Sequence, residues 1–412
     1  MVKKIAASLL AFALAVGPVS GLAFGKEDLT PQPTQEVYLS LGDDEQWPDA
    51  IPISGVLSED LPVRSAILID QHSGRVLFEQ NADEQVAPAS ITKVMTLLLI
   101  MEAVTSGAVV LDDMVTTSED AASMGGSQIW LRVGEEMTVD QLLRAVTIAS
   151  ANDASFALAE HIAGSEMAFV DRMNTRAAEL GMTGTHFRNV TGLDEEGHMT
   201  TARDVAIASR QLIAFDLIKE YSTIWMDELR GGETQLVNTN RLVRFYQGAT
   251  GLKTGTTGQA GSCLSATATR DNLSLVAVVM GAPNSDSRFA AARGLLDFGF
   301  ANFTSVTPPS IAAELTPVPV LHGVSESVTP VFDPPGSYLV ERGQQDLLEQ
   351  VITLAENVEA PVYPGQTLGR VDVMVEGALI GSYPLTAGDG IDRMTFGRAF
   401  GILLRSALTM NR

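Results

Sequence analysis

Residues 88–96 read Pro88-Ala89-Ser90-Ile91-Thr92-Lys93-Val94-Met95-Thr96, and the apolar run that continues to Met101 predicts a helix. Ser90 and Lys93 stand three positions apart, so the helix places a hydroxyl and an amine on one face of its first turn. Free backbone N–H groups at this end favour developing negative charge. Ser90 becomes a nucleophile if Lys93 is neutral and accepts its proton. Alternatively, Ser90 caps the helix and Lys93 is solvated.

The composition restricts the class of function. The chain has 412 residues, of which 45% are hydrophobic, and this favours two or three domains with a sizeable core. Its net charge of −23 argues against nucleic acid as a partner, because phosphate binding needs a basic surface. The single cysteine, Cys263, excludes an intramolecular disulfide, and its strand-like surroundings predict a buried side chain rather than a catalytic thiol. The five histidines lack metal-ligand spacing, so we predict no metal and no cofactor.

The N-terminus predicts an exported protein. Two lysines precede an apolar run, and a small-x-small cleavage signal follows, so residues 1–23 are predicted to be a signal peptide. Residues 24–60 are acidic and proline-rich, which predicts a leader with little fixed structure. No later apolar stretch is long enough to predict a second segment that crosses a membrane.

The patterns over residues 61–303 predict an α/β (α+β) domain with a mostly antiparallel sheet beside a cluster of helices. We expect hairpins over 65–79 and 264–279, and helices from Ser90, from the capping box at Thr138, over 156–180 and over 288–300.

The C-terminal quarter has a different sequence pattern. Prolines mark a boundary near residue 304, and alternating apolar residues predict a small all-β domain over 304–390. Residues 391–412 predict an amphipathic helix with four arginines against one aspartate. We expect this helix to lie on a membrane surface, because the sign of the charge inverts only here. The alternative is a helix that packs on a domain or a partner.

Two further motifs follow the Ser90 motif. Ser150-Ala151-Asn152 stands at a predicted helix end, and Lys253-Thr254-Gly255 stands at the start of a predicted strand. Each motif is weak alone, but all three in this order and in these settings arise by chance far less often.

With these motifs the chain resembles the low-molecular-mass penicillin-binding proteins, specifically the serine-type D-alanyl-D-alanine carboxypeptidases of bacterial walls. The resemblance covers most of the chain, including Gly126-Ser127-Gln128, Thr191-Gly192-Leu193 and Thr201-Ala202-Arg203-Asp204. It implies a penicillin-binding/β-lactamase-like transpeptidase domain, followed by the small all-β domain and the terminal helix.

The resemblance also implies roles for the motif residues. Ser90 would attack the carbonyl of the penultimate D-alanine, and Lys93 would take its proton. Lys253 would lower the pKa of Lys93, Ser150 would relay the proton to the leaving amine, and Asn152 would hold Lys93 and a substrate amide.

For substrate binding, Lys253, Thr254 and Arg288 would bind the terminal carboxylate. The N–H groups of Ser90 and Thr256 would form the oxyanion hole. Gly255 would leave the strand edge open to the peptide backbone.

The implied function is hydrolysis of the terminal D-alanine of peptidoglycan stem pentapeptides through a Ser90 acyl-enzyme. That reaction would trim donor peptides, limit crosslinking and be blocked by β-lactams, at the outer face of the cytoplasmic membrane. The alternatives are a β-lactamase, an endopeptidase or transpeptidase acting on crosslinks, and a catalytically silent scaffold that binds the wall. Class A β-lactamases use a glutamate for deacylation, and no matching Glu-x-x-x-Asn loop lies between Ser150 and Lys253.

Overall fold

The computed structural model describes residues 61–409, with side chains to residue 402. The predicted signal peptide (1–23) and leader (24–60), and the last three residues of the predicted terminal helix, lie outside the described residues. Among the residues described, no helix is long and apolar enough to cross a bilayer.

An antiparallel sheet organises the first part of the described chain, with strand order β2-β1-β9-β8-β7. Two antiparallel pairs lie outside it, β3 (Met114–Thr116) with β4 (Glu136–Thr138) and β5 (Met226–Leu229) with β6 (Thr234–Val237). The strands are β1 (Ser65–Asp70), β2 (Val76–Gln80), β3 (Met114–Thr116), β4 (Glu136–Thr138), β5 (Met226–Leu229), β6 (Thr234–Val237), β7 (Ala249–Thr257), β8 (Gly261–Arg270) and β9 (Leu273–Ala282).

Helices cover both faces of this sheet. They are α1 (Lys93–Thr105), α2 (Glu119–Ala122), α3 (Val139–Arg144), α4 (Asn152–Ala163), α5 (Glu166–Glu179), α6 (Ala202–Leu212), α7 (Asp216–Ser222), α8 (Leu242–Phe245) and α9 (Ser285–Asn302). A 3-10 turn (Ala89–Thr92) precedes α1, and a π-helical turn (Ala145–Ala149) follows α3.

The alternating direction of side chains along the strands explains why helices pack on both faces of the sheet. In β1, Ile67 and Ile69 point into the core shared with α1 and α6, whereas Ala66 and Leu68 point into the core under α9. A strand with both faces buried alternates between two apolar cores, since successive side chains project to opposite faces. The strand β7 forms one edge of the sheet.

Most predicted elements of this region are confirmed, including the hairpins, α9 and the capping box at Thr138. The single helix predicted over 156–180 is wrong. Gly164 adopts a positive φ of 84° and ends α4, and the hydroxyl of Ser165 then caps α5. Ser90 lies in the 3-10 turn rather than in the α-helix, but residues three apart also share a face there. The triplet beginning at Lys253 lies in the second half of β7, not at its start.

The C-terminal part is all-β before its final helix. Strands β10 (Phe303–Val306) and β14 (Tyr338–Glu341) pair with each other, and two further sheets have the orders β12-β11-β16 and β13-β18-β17-β15. The remaining elements are β11 (Val318–Leu321), β12 (Ser327–Val328), β13 (Pro330–Val331), β15 (Leu348–Leu354), β16 (Val358–Glu359), β17 (Thr367–Val375), β18 (Ala378–Ala387) and α10 (Phe396–Thr409).

Three apolar side chains are exposed in the part of α10 whose side chains the structure describes. Phe396 is 86% exposed, Phe400 57% and Ile402 52%, and the two phenylalanine rings stack at 6.2 Å. The segment before α10 is tied to the all-β part, because Met394 N–H donates to the carbonyl of His322. The sequence predicted a helix over 391–412, and the structure begins it at Phe396.

Candidate active site

The three motifs of the sequence meet at one end of β7. The Lys93 Nζ atom lies 3.2 Å from Ser90 Oγ and 2.6 Å from Asn152 Oδ1. Ser90 is half-buried, whereas Lys93 and Asn152 are buried. The fold therefore brings together the hydroxyl, amine and carboxamide that the sequence singled out.

Lys93 has a third contact, at 2.7 Å, with the backbone carbonyl of Thr191. A neutral amine has two N–H bonds and one lone pair. The Asn152 Oδ1 and Thr191 carbonyl oxygens only accept, so each receives one N–H and the lone pair faces the Ser90 hydroxyl. This arrangement suits Lys93 to take a proton from Ser90.

The electrostatics favour the neutral amine. Burial, followed by repulsion from Lys253, holds the pKa of Lys93 well below its usual value, although the charge of Asp153 opposes this. The sequence anticipated repulsion from Lys253, but burial makes the larger contribution. Burial also lowers the pKa of Lys253 itself to about 7, with a smaller contribution from Arg288.

Asn152 is the first residue of α4 and is held on both sides. Its Nδ2 donates to the carbonyl of Gly125 at 2.6 Å, and its backbone N–H donates to Ser127. Ser150 precedes it in the left-handed conformation, with φ 63°, and is buried. Within the described residues its hydroxyl has no hydrogen bond, so Ser150 does not bridge the two lysines in this structure.

Asp153 is a structural neighbour of the site. Its carboxylate accepts hydrogen bonds from the backbone N–H groups of Ile129, Leu131 and Ala154. It therefore ties the loop that carries Gly125 and Ser127 to the start of α4.

The second half of β7 lies against the Ser90 turn. A Cβ added to Gly255 would lie 2.8 Å from Ser90 N and 3.0 Å from Ile91 N, closer than a side chain allows. The absence of a side chain at Gly255 therefore lets the strand approach the nucleophile. This is a different reason for glycine from the open strand edge that the sequence suggested.

The neighbours of Gly255 differ in exposure. Lys253 is buried, and its Nζ donates to the carbonyl of Thr254 at 3.1 Å. The Thr254 hydroxyl donates to Thr239 Oγ1 at 2.7 Å, while Thr256 is exposed. Thr254 therefore presents its hydroxyl next to a second hydroxyl that the sequence analysis did not identify.

Arg288 reaches β7 from α9. Its Nη1 donates to the carbonyl of Gly255 and to Thr256 Oγ1, both at 2.9 Å, and the side chain is buried. The guanidinium contacts the strand rather than Ser90. This geometry suits a residue that orients Thr256.

The structure adds contacts from the segment 188–198. A Cβ on Gly192 would lie 1.8 Å from the Ala89 carbonyl oxygen, so this segment lies directly on the backbone before Ser90. His198 is buried, lies 2.7 Å from Thr92 Oγ1, and accepts from Arg188 N–H at Nδ1. Burial lowers the pKa of His198 to about 4. These contacts give His198 a structural role, because it joins the start of α1 to the segment 188–198.

Two family models match the chain. Residues 54–284 match the family described as D-alanyl-D-alanine carboxypeptidase. Residues 303–393 match the domain described as penicillin-binding protein 5, C-terminal domain. The first match spans more than half of the chain.

Similar proteins include named carboxypeptidases. The D-alanyl-D-alanine carboxypeptidase DacF of Bacillus subtilis is 41% identical over 337 residues, which cover 81% of this chain and 87% of that protein. DacC of Escherichia coli is 36% identical, with 85% of this chain and 89% of that protein covered. Penicillin-binding protein 5 from Haemophilus influenzae has a crystal structure with a TM-score of 0.74 and 31% identity, covering 82% of this chain and 100% of that chain.

Proposed function

Because this chain belongs to the D-alanyl-D-alanine carboxypeptidase family of serine peptidases, we propose that Ser90 is its nucleophile and Lys93 its general base. The protein is a serine-type carboxypeptidase with a penicillin-binding fold, and its substrate is the D-alanyl-D-alanine end of peptidoglycan peptides. The observation that carries the assignment of residues is the 3.2 Å contact between Lys93 Nζ and Ser90 Oγ, with both amine N–H groups committed elsewhere.

In the proposed acylation, Ser90 Oγ bonds to the carbonyl carbon of the penultimate D-alanine while its proton moves to Lys93. The N–H groups of Ser90 and Thr256 stabilise the oxyanion, each donor being worth about 3 kcal/mol in comparable sites. The C–N bond then breaks, and Ser150 passes the proton to the amine of the departing D-alanine. Water hydrolyses the ester and regenerates Ser90.

Substrate binding is assigned to β7 and its neighbours. Lys253 and the Thr254 hydroxyl bind the terminal carboxylate, Asn152 binds a substrate amide, and Gly255 keeps the strand close to Ser90. Arg288 contributes by orienting Thr256, which its Nη1 contacts at 2.9 Å. A β-lactam enters by the same attack, and its leaving amine stays tethered to the acyl group.

The test is release of D-alanine from a synthetic peptide ending in Lys-D-Ala-D-Ala by the mature protein and by Ser90→Ala. We expect release by the wild type and none by the variant. Release by Ser90→Ala would refute the nucleophile. A fluorescent penicillin should label the wild type alone, and absence of both labelling and release would favour the silent scaffold.

Two alternatives have their own readouts. A β-lactamase would turn over penicillin rapidly instead of holding it as a stable acyl-enzyme. An endopeptidase would cleave crosslinked dimeric muropeptides faster than the pentapeptide. We expect slow release of penicillin and a preference for the pentapeptide.

We also propose the division of the chain and its location. Residues 1–23 are a signal peptide, 24–60 a leader, 61–303 the catalytic domain, 304–390 the β domain and 391–412 an anchor helix at the outer face of the membrane. The exposed Phe396 and Phe400 support surface binding, since a helix with an unburied apolar face gains free energy in the membrane interface.

Sedimentation with lipid vesicles tests the anchor. Deleting 391–412, or changing both Phe396 and Phe400 to Ser, should release the protein from vesicles. Leu379→Ser is the matched control, because Leu379 is 60% exposed but lies in β18. Undiminished vesicle binding by the truncated protein would refute this proposal.

A further inference from the structure

The turn of residues 189–195 supplies the Thr191 carbonyl that holds Lys93. Asn189 organises this turn from inside. Its Oδ1 accepts from Gly192 N–H at 2.7 Å, from Thr191 N–H at 3.3 Å and from the Thr191 hydroxyl at 3.2 Å. Its Nδ2 donates to the Leu193 carbonyl and to Glu195, both at 3.1 Å.

The turn is also fixed from outside at both ends. Val190 N–H donates to Glu166 of α5, and its carbonyl accepts from Thr96 of α1. At the far end, Asp194 accepts from the Thr257 hydroxyl at the end of β7, at 2.6 Å. Between these anchors, and apart from Lys93 itself, the Asn189 carboxamide is the one side chain outside residues 191 and 192 that hydrogen-bonds to them, among the residues that the structure describes.

That orientation decides where the Lys93 lone pair points. The Thr191 carbonyl takes one of the two N–H groups of the amine, at 2.7 Å. If the carbonyl turned away, that N–H would be free to rotate toward Ser90, and the lone pair would leave the hydroxyl. Gly192 restricts the turn further, because it rests on the Ala89 carbonyl.

We propose that Asn189 is a positioning residue for the general base: through its three accepted hydrogen bonds it holds the Thr191 carbonyl on Lys93, and thereby directs the lone pair of the amine to Ser90. This inference rests on the proposed role of Lys93. It differs from a purely structural role, because it predicts an effect on the protonation and aim of one amine and not only on stability.

The test compares the pH dependence of acylation by benzylpenicillin in the full mature protein. In Asn189→Ala the turn loosens and water reaches Lys93, which raises the pKa of the amine because burial is the main cause of its lowering. We expect acylation at pH 7 to fall about tenfold or more, as for a misplaced general base, and the acid limb of the profile to move to higher pH.

The charged groups that face Lys93 are Lys253 on β7 and Asp153 on α4. The acids in the turn or beside it are Glu166, Asp194 and Glu195. All five charged groups stay in place in Asn189→Ala, so a movement of the acid limb that Asn174→Ala does not share reports the base.

Two variants separate positioning from folding. Asn189→Asp keeps the accepting oxygen but adds a carboxylate beside Glu195, so its acid limb should move to higher pH through charge while its acylation rate above that limb stays near that of the wild type. Asn174→Ala is the matched control. The Asn174 carboxamide also donates to and accepts from the backbone, in its case the carbonyl and the N–H of Phe187, but none of its described hydrogen bonds involves a partner of Lys93. It should lower the melting temperature without moving the acid limb.

If Asn189→Ala does not fold, Asn189→Gln serves instead, since it moves the oxygen by one methylene and should move the limb in the same direction. A folded Asn189→Ala or Asn189→Gln protein that matches the wild-type profile overturns the inference, as does an equal movement in Asn174→Ala. Lys93→Met distinguishes the two proposals. Normal acylation by that variant refutes the base itself, whereas its inactivity together with an unmoved Asn189→Ala profile refutes only the positioning role.

Discussion

Replacing Lys253 with Met should stabilise the protein in a pH-dependent way. Lys253 is 1% exposed, and burial lowers its pKa from 10.5 to about 7. The unfolded chain keeps an ordinary lysine, so between pH 7 and about 10 the unfolded state binds one more proton than the folded state. The contribution of Lys253 to the free energy of unfolding of the wild type therefore rises with pH in this window and is constant below it.

The magnitude follows from the lowering of the pKa. At about 1.4 kcal/mol for each pH unit, the buried amine destabilises the wild type by about 5 kcal/mol at pH 7 and below. Met has a similar volume and no charge, but it loses the bond to the Thr254 carbonyl, worth about 1 kcal/mol. We expect Lys253→Met to be more stable by about 4 kcal/mol at pH 7, with the difference shrinking by about 3 kcal/mol by pH 9.

Urea unfolding of both proteins at pH 6, 7, 8 and 9 measures this difference. Lys219→Met is the control, because Lys219 is 37% exposed and paired with Asp216, and its profile should run parallel to that of the wild type. Parallel profiles for Lys253→Met and the wild type would refute the reasoning, since they would mean that the amine at position 253 stays protonated when buried.

Gly255→Ala should slow penicillin acylation about tenfold and destabilise the protein by about 1–3 kcal/mol, because the new Cβ meets Ser90 N at 2.8 Å. Gly258→Ala, with open space around it, should do neither, and equal acylation rates for the two variants would contradict this. The wild type should lose up to about 3 kcal/mol of stability as the pH falls from 6.5 to 4. In this range the histidine of the unfolded chain binds a proton, whereas His198 in the folded protein, with its pKa lowered to about 4, does not. Urea unfolding of His198→Asn should show a weaker dependence, and an unchanged slope would count against a buried neutral imidazole. Asp153→Asn should destabilise by about 1–3 kcal/mol in urea, since an amide nitrogen then faces buried N–H groups, and wild-type stability in that variant would refute the proposed tie to the loop.

Local patterns predicted much of the fold. The capping box at Thr138, the hairpin turn at Asp271 and the helix that contains Arg288 each depend on neighbours within a few positions. The break at Gly164 was missed, because the apolar periodicity continues across it and only the glycine followed by Ser165 signals an end and a new cap. That pair marks the boundary, because a glycine that ends one helix is followed directly by a serine that caps the next.

The site was predicted only in part, for a physical reason. Ser90, Lys93 and Asn152 carry side-chain motifs and were identified from the sequence. The Thr191 carbonyl and the close approach at Gly192 are backbone contacts, which any residue sequence can supply and no side-chain motif marks. Thr239 was missed because a lone threonine gives no signal until the fold places it on Thr254.

The partners of Lys93 are spread widely along the chain. The amine and its serine are three residues apart, but Asn152 lies 59 residues from Lys93 and Thr191 lies 98 residues from it. Before these distant segments meet, Lys93 is an ordinary hydrated, protonated lysine and Ser90 an ordinary alcohol. Ser90 is therefore not activated as a nucleophile until these segments have folded together. Acylation by a fluorescent penicillin therefore reports that the long-range contacts have formed. The time at which acylation begins during refolding would show when the last of these contacts forms.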